Sequence, residues 1–127
     1  MLKVIHSNNY IHRDIKPENF MFADGMFDQG KLFIIDFGLC KKYKDENGQH
    51  IPKEENVSSA GTLRYESIYS QKRITASRRD DVISVGYMLL YYCKGGKLPW
   101  MGLNQEADQA AAILRMKENT NYKSLCS

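Results

Sequence analysis

The sequence is short of cysteine, of net charge and of long apolar runs, and each shortage removes a class of protein. Three cysteines, Cys40, Cys93 and Cys126, occur in 127 residues. The number is odd and no pair has metal-ligand spacing, which argues against a disulfide framework or a zinc site and for a reducing compartment. Eighteen Lys and Arg against fifteen Asp and Glu leave a net charge of +3, too little for a nucleic-acid-binding face. The densest basic stretches, Lys41, Lys42 and Lys44 and then Arg78 and Arg79, read as solvated surface. The most apolar stretch, Val82 to Cys93, is interrupted by Ser84 and Gly86 and falls well short of the roughly 20 residues of a membrane span. Met1 to Tyr10 has neither a long apolar core nor a small-residue cleavage site, so no signal peptide is expected. There is no internal repeat and no low-complexity tract. What remains is a globular composition, 43% hydrophobic, 26% charged and 11% aromatic, at a length that predicts one domain with a core of its own. A cytoplasmic or nuclear location is expected, with no nucleic-acid and no membrane partner.

Local patterns predict the elements. Leu2 and Ile5 share one face at i, i+3 spacing, and Ser7-Asn8-Asn9 ends the short helix they imply. Pro17 bars a helix through His12-Arg13-Asp14-Ile15-Lys16-Pro17-Glu18-Asn19, which reads as a loop. Asn19 to Phe22 and Lys31 to Ile35 read as strands, joined by turn signals between Ala23 and Gly30 into an antiparallel hairpin. Lys41 to Ser59 is polar, with Gly48 and Pro52, and reads as one long loop. Asp80 to Lys94 predicts a helix that is apolar nearly all round and therefore surrounded in a core, stopped by Gly95-Gly96. Asn104 is placed to cap a last helix, Gln105 to about Lys117, with an apolar stripe of Ala107, Ala110, Ala111 and Leu114. The tail from Asn119 to Ser127 reads as polar and loose.

The chemistry gathers around the hairpin. Its geometry brings Asn19, at the start of one strand, towards Asp36, at the end of the other. Hard oxygen donors of this kind suit a magnesium ion held mainly by a substrate's phosphates. Asp14, in the proline-stiffened loop, is positioned to accept a proton from a nearby hydroxyl, and Lys16 to neutralise charge on a phosphoryl group. Positioning, metal, charge stabilisation and a carboxylate beside the nucleophile are the parts that phosphoryl transfer needs. His-Arg-Asp or Asp-Phe-Gly alone is a common tripeptide. The octet His12 to Asn19, joined to Asp36-Phe37-Gly38 through a hairpin-length gap, is far more specific.

That octet resembles the catalytic loop of eukaryotic protein kinases, and Lys16 after the aspartate marks the serine/threonine type. Asp36-Phe37-Gly38 is similar to the magnesium-binding motif of the same family. Where kinases generally continue to Ala-Pro-Glu, this chain reads Ser67-Ile68-Tyr69. The run Gly61-Thr62-Leu63-Arg64-Tyr65-Glu66-Ser67-Ile68 resembles the casein kinase I family. So do His50-Ile51-Pro52, Ser77-Arg78-Arg79-Asp80-Asp81, Gly86-Tyr87 and Leu98-Pro99-Trp100-Met101-Gly102-Leu103. The resemblance runs from about Ile5 to Leu103.

It implies an α+β, protein kinase-like fold, of which this chain is the mainly α-helical C-lobe with a small β-hairpin carrying the catalytic site. Residues 1–127 would be a partial kinase domain, central C-lobe, without the N-lobe and the last C-lobe helices. ATP and Mg2+ are the implied cofactors, and protein substrates, acidic ones among them, the implied partners. By motif, Asp14 is the base, Lys16 the phosphate-contacting lysine, and Asn19 and Asp36 the magnesium ligands. Thr62 and Arg64 face the substrate, Thr62 by hydrogen bonding near Asp14 and Lys16. His12, Arg13, Phe37, Gly38 and Asp81 are structural, with Phe37 packed under the site and Asp81 binding the backbone of the loop. Two positions depart from the family's basic reading of acidic substrates: Val57 stands where a lysine is usual, and Asn104-Gln105-Glu106 replaces a basic run. No glycine-rich loop precedes Asp14, so the chain reads as a fragment of a serine/threonine kinase, inactive by itself. The alternative is a non-catalytic kinase-like binding module or pseudokinase fragment.

Overall fold

A computed structural model describes residues 1–23, 30–103 and 107–126. The first helix, α1 (Leu2–Ser7), stops where Asn9 takes a left-handed backbone, φ 67°. Asparagine tolerates that conformation better than most residues, and Asn8 folds its amide back onto the Val4 carbonyl at 2.8 Å. The chain then forms β1 (Tyr10–Ile11) and the loop, which closes in a single 3₁₀ turn, Pro17–Asn19. Proline suits the first position of such a turn because its fixed φ is already helical and no amide is lost. Next come β2 (Phe20–Phe22) and β3 (Leu32–Ile34), antiparallel in the register Phe20↔Ile34, Met21↔Phe33, Phe22↔Leu32. The Ile35 amide donates to the Asn19 carbonyl at 2.9 Å, so Asn19 lies beside the residue that precedes Asp36. The expected hairpin is present; its expected turn falls largely on 24–29, outside the described residues.

Five local expectations are corrected. The stretch from Lys41 is not all loop. β4 (Lys41–Lys42) pairs antiparallel with β1, and Lys44 bridges His50. Two lysines in a row carry no alternation, so the strand left no side-chain pattern to read, although Lys42 Nζ lies 5.9 Å from the ring of its partner Tyr10. Tyr43 follows, 2% exposed, its hydroxyl donating to the His6 carbonyl at 2.8 Å. A single helical turn, α2 (Ile68–Gln71), is capped by Ser67, whose hydroxyl accepts from the Ser70 amide at 3.0 Å. It is too short to show a period.

The long helix α3 (Arg78–Cys93) begins two residues before the predicted start, because Ser77 and Asp80 form a capping box. The Asp80 carboxylate accepts from the Ser77 amide at 2.8 Å. Nor is α3 surrounded. Val82, Leu89 and Tyr92 are more than half exposed, while Asp80, Asp81, Ser84 and Tyr87 are buried. The two acids at its start have buried partners, and satisfying them turns that face inward whatever the apolar residues opposite.

The core gathers Tyr65, Tyr87, Leu98, Trp100 and Ile113, with the Tyr87 and Trp100 rings edge-on at 4.8 Å. Ile113 comes from α4 (Gln109–Asn119), capped by Asp108, which accepts from the Ala111 amide at 3.0 Å. Asn104, Gln105 and Glu106, the predicted cap and first turn, lie outside the described residues. The buried face of α4 is Ala112, Ile113 and Lys117, while Ala107 and Ala110 are exposed. The true stripe is therefore rotated from the predicted one and contains a lysine. The tail is not loose: α5 (Tyr122–Cys126) stacks Tyr122 on Tyr87 and donates its hydroxyl to the Lys117 carbonyl at 2.8 Å. Among the described residues no helix is long and apolar enough to cross a membrane.

The cap of α3 can be tested directly. Ser77→Ala removes the side-chain acceptor and is expected to lower stability by about 1 kcal/mol, read as a lower urea midpoint with unchanged slope.

Candidate active site

The loop that carries Asp14 is held from below by α3. The Asp81 carboxylate, 1% exposed, accepts the main-chain N–H groups of His12 and Arg13, both at 2.9 Å, and pairs with His6 Nε2 at 2.8 Å. Arg13 sits at φ 69°, a left-handed conformation that costs a residue with a side chain of order 1–2 kcal/mol. The paired bonds to Asp81 and a 2.6 Å bond from Arg13 Nε to the Leu39 carbonyl keep it there. His12 is fully buried and uses both ring nitrogens. Nε2 donates to the Ile35 carbonyl at 3.0 Å and Nδ1 accepts the Asp14 amide at 3.3 Å. With neither nitrogen free, His12 joins loop to hairpin. The Phe37 ring meets the His12 ring edge-on at 5.1 Å while remaining about half exposed.

Asp14, 7% exposed, has partners on both carboxylate oxygens. Lys16 Nζ donates to Oδ2 at 2.7 Å, and the Thr62 hydroxyl donates to Oδ1 at 2.8 Å. Lys16 Nζ also reaches Thr62 Oγ1 at 3.3 Å. Asn19 Nδ2 donates to the Asp14 carbonyl at 2.8 Å and, more weakly, to Oδ2 at 3.4 Å. Burial pushes the Asp14 pKa up, but the bonds from Lys16, Thr62 and Asn19 with the charge of Lys16 outweigh it, and the net shift is downward. Lys16 moves the other way, held protonated by its bond to Asp14 against a smaller cost of burial.

Thr62 reaches this centre because of Gly61. Gly61 has φ 115°, and a Cβ there would stand 2.5 Å from the Arg13 carbonyl oxygen. Only glycine permits both the conformation and the approach.

Asp36 leaves β3 with φ 62° and accepts the Gly38 amide on Oδ1 at 3.2 Å. It is exposed, and its charge contributes to the raised pKa of Lys16. Asn19 commits its N–H to Asp14, which leaves its amide oxygen as the group to offer a cation. Asn19 and Asp36 thus supply two hard oxygens at one end of the hairpin. Among the described residues no cluster of three or more His, Cys, Asp or Glu could hold a metal by itself. The donor set fits magnesium carried in on phosphates better than a metal the protein cages alone.

Arg64 lies against two aromatic rings. Its guanidinium lies 5.9 Å from the Tyr65 and Tyr91 rings, and its carbonyl accepts Trp100 Nε1 at 2.8 Å. With Glu18, Thr62, Leu63, Trp100 and Met101 it lines a cleft of about 420 Å³, so an acid and a base face whatever lies there. The sequence reading missed His6, Glu18 and Lys117, and the close approach at Gly61. His6 is 75 positions from Asp81, and nothing local links them. For Lys117 one signal existed: it stands four residues after Ile113, on the same helix face.

A main-chain-anchored loop that offers an aspartate–lysine pair beside a hairpin holds parts of the kind phosphoryl transfer uses. A family model described as protein kinase domain matches residues 1–125, and the chain belongs to that family. Protein kinase domains generally use ATP and Mg2+ and act on proteins.

The electrostatics of the centre predict a titration. The Asp14 carboxyl should titrate below the ordinary value of 3.8, followed by its side-chain carbon resonance in NMR, and Lys16→Met should raise it. Because the folded pKa is depressed, the stability contributed by Asp14 is complete above the ordinary carboxylate range and is lost as pH falls through the lowered value. An Asp14 titration unmoved by Lys16→Met would contradict the assignment.

Proposed function

We propose that this chain is the central C-lobe part of a serine/threonine protein kinase of casein kinase I type, whose activity is transfer of the γ-phosphate of ATP to serine or threonine in protein substrates. The observation that carries the reading is the Asp14 centre, a buried carboxylate kept ionised by a lysine and a threonine from a second segment. An acceptor hydroxyl placed at Asp14 would be oriented by the carboxylate and would lose its proton to it. With a lowered pKa, Asp14 is a weak base, so its work is chiefly orientation, and proton transfer falls late, as the phosphoryl group arrives. Lys16, held protonated, would donate to the phosphoryl oxygens. Asn19 and Asp36 are the residues that would hold magnesium, which when bound neutralises charge between the phosphates.

The casein kinase I assignment is supported by the segment that stands in place of Ala-Pro-Glu. Ser67 is 1% exposed, caps α2, and donates its hydroxyl to the Asp80 carboxylate. This ties the segment to α3 through a serine. Thr62 and Arg64, on the same segment, would face the substrate. Glu18 lines the same cleft as Arg64 and offsets part of its charge, which weighs against heavily acidic substrates.

The polypeptide by itself, given labelled ATP, magnesium and casein, should show no transfer above an Asp36→Asn control. Grafted in place of the matching segment of an active casein kinase I enzyme, it should yield phosphoserine and phosphothreonine in casein. Asp14→Asn should reduce that transfer by on the order of 10²–10⁴-fold. Phosphotyrosine as the product, or transfer indifferent to Asp14→Asn, would overturn the reading.

A further inference from the structure

Lys117 is fully buried, on a helix far in sequence from the Asp14 site. Its Nζ donates to the Leu63 carbonyl at 2.7 Å, the Glu66 carbonyl at 2.6 Å and Gln71 Oε1 at 3.1 Å. The rings of Tyr87 and Trp100 stand 5.1 and 5.5 Å from it. Burying a lysine is costly unless its donors are met, and here all three are. Burial draws its pKa down to about 7, with the Glu66 carboxylate opposing. The group still donates in either state, three bonds as ammonium and two as amine. Gln71 turns its oxygen to Lys117 although this leaves its own buried Nε2 without a partner, so the lysine's demand decides the orientation.

The carbonyls that Lys117 holds belong to one tight turn. The Thr62 carbonyl accepts the Tyr65 and Glu66 amides at 2.8 and 2.9 Å. Trp100 Nε1 takes the Arg64 carbonyl, and Lys117 takes those of Leu63 and Glu66. Every carbonyl from 62 to 64, and that of Glu66, is therefore fastened, and two of the four depend on Lys117. The same turn presents Thr62 Oγ1 to Asp14 and Lys16. The side chain of Glu66 takes no part, being engaged by the Ser70 hydroxyl at 2.6 Å.

We propose that Lys117 is a positioning residue for the Asp14 site, its bonds to the Leu63 and Glu66 carbonyls holding the turn that sets Thr62 against Asp14. Its weight in catalysis rests on the reading of Asp14 given above; its structural content does not. Lys117→Met keeps the chain length and removes the donors. In the folded polypeptide, shown by retained far-ultraviolet circular dichroism, Lys117→Met should lose the slowly exchanging Thr62 hydroxyl proton in NMR. It should also speed amide exchange at Tyr65 and Glu66 by about tenfold, because the turn that protects them would open more readily.

In the grafted kinase, Lys117→Met should lower kcat about tenfold with little change in the KM for ATP, and in a Thr62→Val background by less than twofold, because coupled residues are non-additive. A Thr62 hydroxyl and amide exchange unchanged in Lys117→Met overturns the proposal, as do kcat losses that multiply in the double variant. Loss of the Thr62 signal with no effect on transfer overturns the positioning role while leaving the hold of Lys117 on the turn; failure of the Asp14 reading is separate, seen as transfer indifferent to Asp14→Asn. Should Lys117→Met fail to fold, the wild-type chain decides: a slowly exchanging Lys117 Nζ signal coupled to the carbonyls of residues 63 and 66 supports the proposal, and its absence overturns it.

Discussion

One buried carboxylate organises the site. Asp81 accepts two consecutive amides of the Asp14 loop and a ring nitrogen from α1, so a single side chain at the start of α3 joins three parts of the chain. Its position follows from local chemistry. The Ser77–Asp80 capping box starts α3 one turn earlier, and acidic residues in a first turn are favoured by the helix dipole. Strain at Arg13 then has a cause: the loop must turn two adjacent N–H groups towards one carboxylate, and it adopts a left-handed residue to do so. Remove the acceptor and those amides would be buried without partners, each at a cost of about 1–3 kcal/mol.

The reactive side chains lie one layer further out. His12 sits between the anchored loop and the hairpin, spending both nitrogens on their union. Asp14 is next, then Lys16 and Thr62. Thr62 reaches Asp14 across a main-chain contact that only Gly61 permits, and its own turn is held from behind by Lys117 and Trp100. The site is thus gripped from two sides, by an acid on α3 beneath the loop and by a base on α4 behind the opposing turn. Both grips are hydrogen bonds between a buried ionisable side chain and the main chain, accepted from amides by Asp81 and donated to carbonyls by Lys117. Such bonds depend on the path of the backbone and leave the identities of the gripped side chains free for chemistry.

The 3₁₀ turn at Pro17–Asn19 was not legible in the sequence; the hairpin, the proline-stiffened loop, the glycine stop of α3 and the grouping of Asp14, Lys16 and Asn19 were. Each is decided within about 20 residues by backbone preference or alternation. The face of α3 was not. Counting its apolar residues predicts a helix wrapped on all sides, yet Val82, Leu89 and Tyr92 lie open while two aspartates are buried. Hydrophobicity measures what burial would gain and is silent on which polar groups have partners waiting. The stripe of α4 failed for the same reason. Alanines contribute little to packing, and a lysine with three acceptors and two aromatic faces took the inner position. β4 left no trace because its partner, β1, lies about 30 residues away and two adjacent lysines carry no alternation.

Residue order therefore settled the kind of chemistry available: a carboxylate and a lysine two positions apart, stiffened by proline, and an oxygen-bearing hairpin beside them. Those relations are short-range and survive in any compact arrangement of the chain. Tertiary structure decided which charges are buried, who satisfies them and how Thr62 meets Asp14. Asp81 with His6, Lys117 with Leu63 and Gly61 with Arg13 are contacts across roughly 50 to 75 residues, closed only when the whole core forms. A buried charge has meaning only through its partner, and no local pattern names a partner that far away.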